Sequence, residues 1–287
     1  MPVVVTGADT PLGRLLLDRL VGAGLDLRAT VEARADVQQL VDRGVKTAVS
    51  DLVDTERFGA VVENAHTVIH LRGSGSGGGA GEVLRGVPDV LAALPESGVE
   101  RVVTITGFGL EAHPSLELLR GSGLDVVVLR VGVVLAPLQD PRAQRPRVLP
   151  PTRLIAPLYV DDLVGALVAA DRLRAITGYV ELDAVGPDVI TAGGLDALLG
   201  TRRGILERWS DRGPQTRLAA YRRSSHVDVP MVGDRGEALG RLLGVHPMAL
   251  TDVIAAVRSS QAPARRREMG SKDKGGKETK KPKKAAK

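Results

Sequence analysis

Residues 3–17 read Val-Val-Val-Thr-Gly-Ala-Asp-Thr-Pro-Leu-Gly-Arg-Leu-Leu-Leu, and no other stretch constrains the fold as much. Val3, Val4 and Val5 form a β-branched run that suits a buried strand. The run breaks at Gly7. Leu12, Leu15, Leu16 and Leu20 then recur at helical spacing, so a strand passes through a tight turn into a helix. The first N–H groups of such a helix lack intrahelical partners, and together with the helix dipole they suit a pyrophosphate. Gly7 permits the turn, and Gly13 lets the helix approach the strand closely. Pro11 has no N–H to offer.

The alternation continues along the chain. Leu27–Val31 reads as a second strand, with Gly22 to Gly24 closing the helix before it. Asp36 suits the N-cap of a helix through Val37, Leu40 and Val41. Val45–Val49 and Val68–Leu71 are the third and fourth strands. A helix over Glu82–Leu94, a fifth strand over Gly98–Thr106 and a sixth over Asp125–Leu135 follow. Six strands alternating with helices predict an α/β fold: a doubly wound parallel sheet of the Rossmann type, here with a small C-terminal α/β lobe.

Thr6-Gly7-Ala8-x-x-x-x-Gly13 resembles the T-G-A-x-G-x-x-G loop of the extended and atypical short-chain dehydrogenases/reductases, which include NmrA-like and NAD-dependent epimerase-like proteins. The resemblance implies NAD or NADP as cofactor and makes Gly7, Asp9, Thr10, Leu12 and Gly13 its loop contacts. Thr10 departs from the family by replacing the middle glycine, so a Cβ stands where the pyrophosphate approaches. Glu32 lies 19 positions beyond Gly13, a spacing that suits an acid accepting from the adenosine ribose 2′-OH of NAD. Arg34, two residues on, suits the 2′-phosphate of NADP instead. Related reductases often carry V-R-A-x-V-R, with arginine where Glu32 stands, which tilts the reading towards NAD; the alternative for Glu32 is a solvated loop carboxylate.

Asp51-Leu52 resembles the family's G-D-(L/V/I), whose carboxylate holds the adenine amino group while the next backbone N–H assists; Asp51 equally suits a helix N-cap. Val68-Ile69-His70-Leu71 resembles V-I-H-L-A, the segment that closes over ribose and pyrophosphate. That implicates Leu71, Arg72 and Gly73, with Arg72-Gly73 in place of the family's alanine. His70, within an apolar run, reads as a core or strand-end histidine. Ser74–Gly81 is almost pure Gly/Ser and suits either a lid over the strand ends or a disordered insertion.

Gly98–Thr106 matches G-V-x-R-x-V-x-x-S and adds Thr106 to the cofactor contacts. The family then uses Tyr-x-x-x-Lys as its acid/base pair. Here the first tyrosine is Tyr159, and the matching positions fall near Gly109 and His113, just before Pro114. His113 is the one substitute acid/base on offer, against the plainer reading of a histidine at a helix start. Further on, Asp125–Leu135 resembles x-x-I-L-R-P-G-x-x-x-G with Val131 for proline. Leu158–Val164 resembles (F/Y)-V-D-D-(V/L)-A, whose acids, here Asp161 and Asp162, cap a helix. Gly178–Pro187 resembles a small-lobe strand.

The expected division is a dinucleotide-binding domain over residues 1–200, with parts of the small lobe from about 137, then a small-lobe segment over 201–260 and a disordered Lys-rich tail over 261–287. Trp209 and Tyr221 suit small-lobe anchors by size. The tail holds eight Lys and three Arg against three acids, a net +8. With +5 for the whole chain, residues 1–260 net −3, so the body carries no basic footprint for nucleic acid, and only weak nonspecific tail contacts are expected. The absence of cysteine excludes disulfides and thiolate chemistry. No run is apolar enough to span a bilayer, and no signal pattern opens the chain, so a cytoplasmic location is expected. Two functions fit. One is a dinucleotide-binding or redox-sensing protein without the tyrosine pair. The other is an NAD(P)-dependent oxidoreductase, or a sugar-nucleotide epimerase or dehydratase, with non-standard catalytic residues and an unidentified small-molecule substrate.

Overall fold

In the computed structural model, β1 (Val3–Thr6) is an interior strand of a seven-stranded parallel sheet. Leading outward on one side are β2 (Leu27–Val31) and β3 (Lys46–Val49). On the other side lie β4 (Thr67–His70), β5 (Arg101–Gly107), β6 (Asp125–Val131) and finally β10 (Tyr179–Ala184). Every pairing is parallel, with Val5 beside Ala29 on β2 and Ile69 on β4. The structure describes residues 2–74, 79–136, 149–199, 232–257 and 259.

Alternate residues of each strand feed two cores. Val3, Val5, Ala29, Ile69, Val103 and Val127 face the helices α1 (Pro11–Val21) and α7 (Val160–Arg172). Val4, Val68, Val102, Val126 and Val128 face α3 (Thr55–Val62), α5 (Val87–Ala92) and α6 (Pro114–Arg120). Burial on both faces explains why the strands read as continuous apolar runs rather than alternating ones. At the opposite end of the strands from the glycine turn, the fully buried Arg101 closes the end of α7. Its guanidinium donates to the carbonyls of Ala170, Asp171, Leu173 and Ile176 and pairs with Asp125 at 3.3 Å.

Several local expectations change. The strand near Gly178 is not part of a small lobe; it joins the main sheet beside β6 as the seventh strand. The sixth strand stops at Val131, and Val134–Leu135 pairs separately as β7 with β9 (Leu158–Tyr159). The single helix expected over 82–94 is two, α4 (Gly79–Arg85) and α5, split at Gly86. The His70 ring packs against Gly86 so closely that a Cβ there would sit 2.9 Å from the imidazole. Asp36 stands at the N-cap of α2 (Val37–Val41) but makes no cap hydrogen bond, because its carboxylate pairs with Arg14 at 2.8 Å. Asp161 and Asp162 lie in the first turn of α7, whose N-cap is Tyr159; Asp162 instead accepts the Met248 N–H at 2.9 Å. Smaller pieces complete the description: β8 (Leu154–Ile155) paired with β11 (Ile190–Thr191), α8 (Ala192–Leu199), α9 (Glu237–Leu243) and a last helix over 250–257. The Gly/Ser run at 75–78, the Pro/Arg run at 137–148, Trp209, Tyr221 and the tail over 261–287 lie outside the described residues.

Candidate functional site

Chain order makes β1 the switch point of the sheet: β2 lies on one side of it and β4 on the other, and ligands of such sheets bind outside the strand ends there. Gly7 ends β1 in the left-handed region, with φ of 69°. A Cβ on Gly7 would lie 2.6 Å from the backbone of Arg72, so the loop after β4 rests directly on the glycine turn. A Cβ on Gly13 would lie 2.1 Å from the Gly7 carbonyl oxygen. Both glycines are therefore required by contact as well as by conformation.

Thr10, where the family has its middle glycine, is buried. It is the N-cap of α1 in an extended conformation, and its hydroxyl turns inward. That hydroxyl donates to the Gly7 carbonyl at 2.7 Å, accepts the Gly13 N–H at 3.0 Å and accepts from Ser74 at 3.1 Å. The Gly13 N–H is thus consumed and Pro11 has none. Leu12, its side chain buried, then supplies the first-turn N–H that no cap takes among the described residues.

Asp9 and Glu32 meet at the end of β2. The Glu32 N–H donates to Asp9 Oδ2 at 3.0 Å, while Asp9 Oδ1 is buried with no hydrogen-bond partner among the described residues. The Glu32 carboxylate lies 3.3 Å from Arg72 Nε. That nitrogen is shielded and makes no directed hydrogen bond among the described residues, so the contact is an ion pair held by charge. Sequence reasoning named both residues and missed their pairing, since nothing in the spacing couples positions 40 apart. Gly73 has φ of 89° and carries the chain from Arg72 to Ser74. Leu71, fully buried, donates its N–H to the Thr6 hydroxyl at 3.2 Å. Arg34 is exposed on a short 3₁₀ turn, two residues past Glu32.

Asp51 is exposed and accepts the Val53 N–H at 3.2 Å; Asp54, not Asp51, caps α3. Leu52 is fully buried with φ of 67°, and its N–H goes to Ser50 Oγ at 3.1 Å. That N–H is therefore already paired where the resemblance assigns it to adenine. The strained backbone of Leu52 marks the turn as built around a fixed shape.

Near the carboxyl ends of the strands, Thr106, Arg130 and Asp183 share one register row across β5, β6 and β10. Thr106 Oγ1 is buried without a partner among the described residues. Arg130 Nε donates to Asp183 at 2.6 Å, its guanidinium reaches Glu111 at 3.6 Å, and the ring of Phe108 lies 4.9 Å from it. Of this cluster the sequence pointed to Thr106 and to the L-R dipeptide of β6, and gave no sign of Phe108, Glu111 or Asp183. Gly109 has φ of 85° and donates to Glu111 at 3.1 Å. His113 is the N-cap of α6, with Nδ1 accepting the Ser115 N–H at 3.2 Å. Partial burial lowers its pKa, and the nearby Arg85 adds to that. Tyr159 is shifted the other way, by burial and by Asp161 and Asp162. Among the described residues no group of three or more His, Asp or Glu could hold a metal, and no helix is long and apolar enough to cross a membrane.

The residues around the glycine turn fit a dinucleotide: a turn packed too closely for a Cβ at Gly7 or Gly13, and, without a partner among the described residues, one first-turn N–H and a buried carboxylate oxygen. Residues 7–153 match the model of a family described as NAD(P)H-binding. No curated protein matches the sequence. The fold is similar to the UDP-glucuronic acid 4-epimerase of Bacillus cereus, at 14% identity, TM-score 0.67, and coverage of 91% of this chain and 98% of that one. It is also similar to the Citrobacter sp. triphenylmethane reductase, at 14% identity, TM-score 0.65, and coverage of 90% and 100%. The NADPH-dependent quinone oxidoreductase of Escherichia coli aligns at 14% identity and TM-score 0.63, covering 89% and 99%. At these identities the likeness shows the Rossmann fold alone. With the family match spanning more than half of the sequence, the chain belongs to the family described as NAD(P)H-binding, and its cofactor is NAD or NADP.

Proposed function

We propose that this protein binds a nicotinamide dinucleotide across the ends of β1, β2 and β4 and works as a dinucleotide-binding or redox-sensing protein rather than by the tyrosine mechanism of its family. The glycine turn and Leu12 N–H take the pyrophosphate. Asp9 and Glu32 face the adenosine ribose, Asp51 and Leu52 shape the adenine end, and Thr106 lies towards the nicotinamide. The observation that carries the reading is the use made of His113. By the resemblance the family's lysine position falls near His113 and its tyrosine position near Gly109; the His113 ring caps α6, and Gly109 makes a left-handed turn. Hydride transfer to a carbonyl leaves an alkoxide, and a positioned general acid for it is typically worth about 10²–10⁴-fold. Without one, binding and orientation alone give slow turnover.

A second reading is favoured by the Thr106 hydroxyl, without a partner among the described residues, beside Arg130. In it the protein is an oxidoreductase, or a sugar-nucleotide epimerase like some of its structural neighbours, with a hydroxyl and a guanidinium polarising the substrate. The test is a turnover screen with NADH and NADPH over sugar nucleotides, quinones and small carbonyls. The first reading expects binding with negligible turnover. Robust turnover that survives His113→Ala contradicts it and supports the second; turnover lost in that variant makes His113 the acid.

A further inference from the structure

The Glu32–Arg72 ion pair joins the two segments that flank β1. Glu32 follows β2 and Arg72 follows β4, so the pair crosses the end of β1 above the glycine turn. Both ends are anchored. The Glu32 backbone is tied to the glycine loop through Asp9, and the Arg72 backbone lies on Gly7. Asp9 and Glu32 place two carboxylates at this corner, and Glu32 neutralises Arg72. Arg34 stands exposed close by and forms no ion pair among the described residues.

Taking the site to be the dinucleotide site proposed above, we infer that the Glu32–Arg72 pair sets the choice between NAD and NADP, with Arg72 a latent ligand for the 2′-phosphate. While the pair is intact, Arg72 fixes the Glu32 carboxylate, whose other oxygen accepts from the ribose hydroxyls of NAD. A 2′-phosphate carries nearly two negative charges and meets Glu32 and Asp9 together, at a Coulombic cost that the paired Arg72 does not offset. Removing the Glu32 charge reverses the balance. Arg72 and Arg34 then face the phosphate opposed only by Asp9, and a guanidinium fork suits a phosphate well. Arginine at this place is a property of this chain, because the related motif has alanine there.

The experiment measures Kd for NADH and NADPH on the full chain, by the fluorescence of the bound nicotinamide. The proteins are wild type, Glu32→Gln, Glu32→Gln/Arg72→Ala and Glu32→Gln/Arg72→Lys. Both side chains are partly exposed, so the variants are expected to fold, and a thermal melt of each reports it. Wild type should prefer NADH. Glu32→Gln should tighten NADPH by about tenfold, the scale of one charge-assisted contact. Arg72→Ala in that background should abolish the gain, and Arg72→Lys should restore part of it. A gain that persists without Arg72, no gain in Glu32→Gln, or a wild type that prefers NADPH each overturns the inference while leaving the dinucleotide site standing. Failure of wild type to bind either nucleotide overturns the site reading itself.

Discussion

The Thr6 hydroxyl lies 2.8 Å from His70 Nδ1, and Nε2 of the same ring lies 2.8 Å from the Val83 carbonyl. A carbonyl only accepts, so Nε2 carries the proton and Nδ1 accepts from Thr6. The Thr6 oxygen in turn accepts the Leu71 N–H. One neutral imidazole thus links the strand before the glycine turn to the helix under the β4 loop. Burial pushes its pKa down to about 4; the Val83 bond opposes that shift, and Arg72 adds to it.

This shift makes stability depend on pH. The unfolded chain holds its histidine near 6.5, so between that value and 4 the unfolded state binds more protons than the folded one. The contribution is complete above pH 6.5 and falls away as pH drops towards 4, by up to about 3 kcal/mol. Urea unfolding at pH 7.5 and pH 4.5 should show the loss. His70→Asn, less stable at neutral pH, should show a smaller difference between the two, the remainder coming from carboxylates. Equal pH dependence in both proteins would refute the assignment.

Arg101 supports the fold far from the site. Replacing it with alanine leaves four carbonyls at the end of α7 and the Asp125 carboxylate without their shared donor. A loss of about 3–5 kcal/mol is expected in urea unfolding. Dinucleotide affinity per folded molecule should not change, because Arg101 begins β5 whereas the site lies beyond the strand ends.

Thr10 separates cap from cradle. Thr10→Ala removes the N-cap hydroxyl and should cost about 1 kcal/mol in unfolding free energy, whereas Thr10→Gly should cost only a few tenths. Since the hydroxyl points inward, neither change should weaken NADH binding more than a few-fold by calorimetry. A large loss of affinity in Thr10→Gly would mean that this side chain touches the cofactor.

The doubly wound sheet was legible because each strand is a short β-branched run between glycine or polar breaks, and parallel crossovers leave few topologies open. Gly7 and Gly13 were legible because their chemistry is local. The seventh strand was harder. Tyr179–Ala184 alternates polar and apolar residues at the sheet edge, so nothing in it tells a main-sheet strand from a lobe strand. The breaks at Gly86 and Val131 depend on contacts with His70 and β9, which lie far away in sequence. The same holds for the Glu32–Arg72 and Arg130–Asp183 pairs. Each residue could be named from the chain, but the fold alone decides which carboxylate each guanidinium meets.

The most direct measurement is a calorimetric titration of the full chain with NAD⁺, NADH, NADP⁺ and NADPH, alongside Gly13→Val. That side chain begins with a Cβ 2.1 Å from the Gly7 oxygen, so it must displace the glycine turn. One site per chain for at least one dinucleotide, absent from a Gly13→Val protein that still melts cooperatively, is the predicted result. Unchanged affinity in Gly13→Val, or no binding of any of the four by wild type, would contradict a dinucleotide site at this turn.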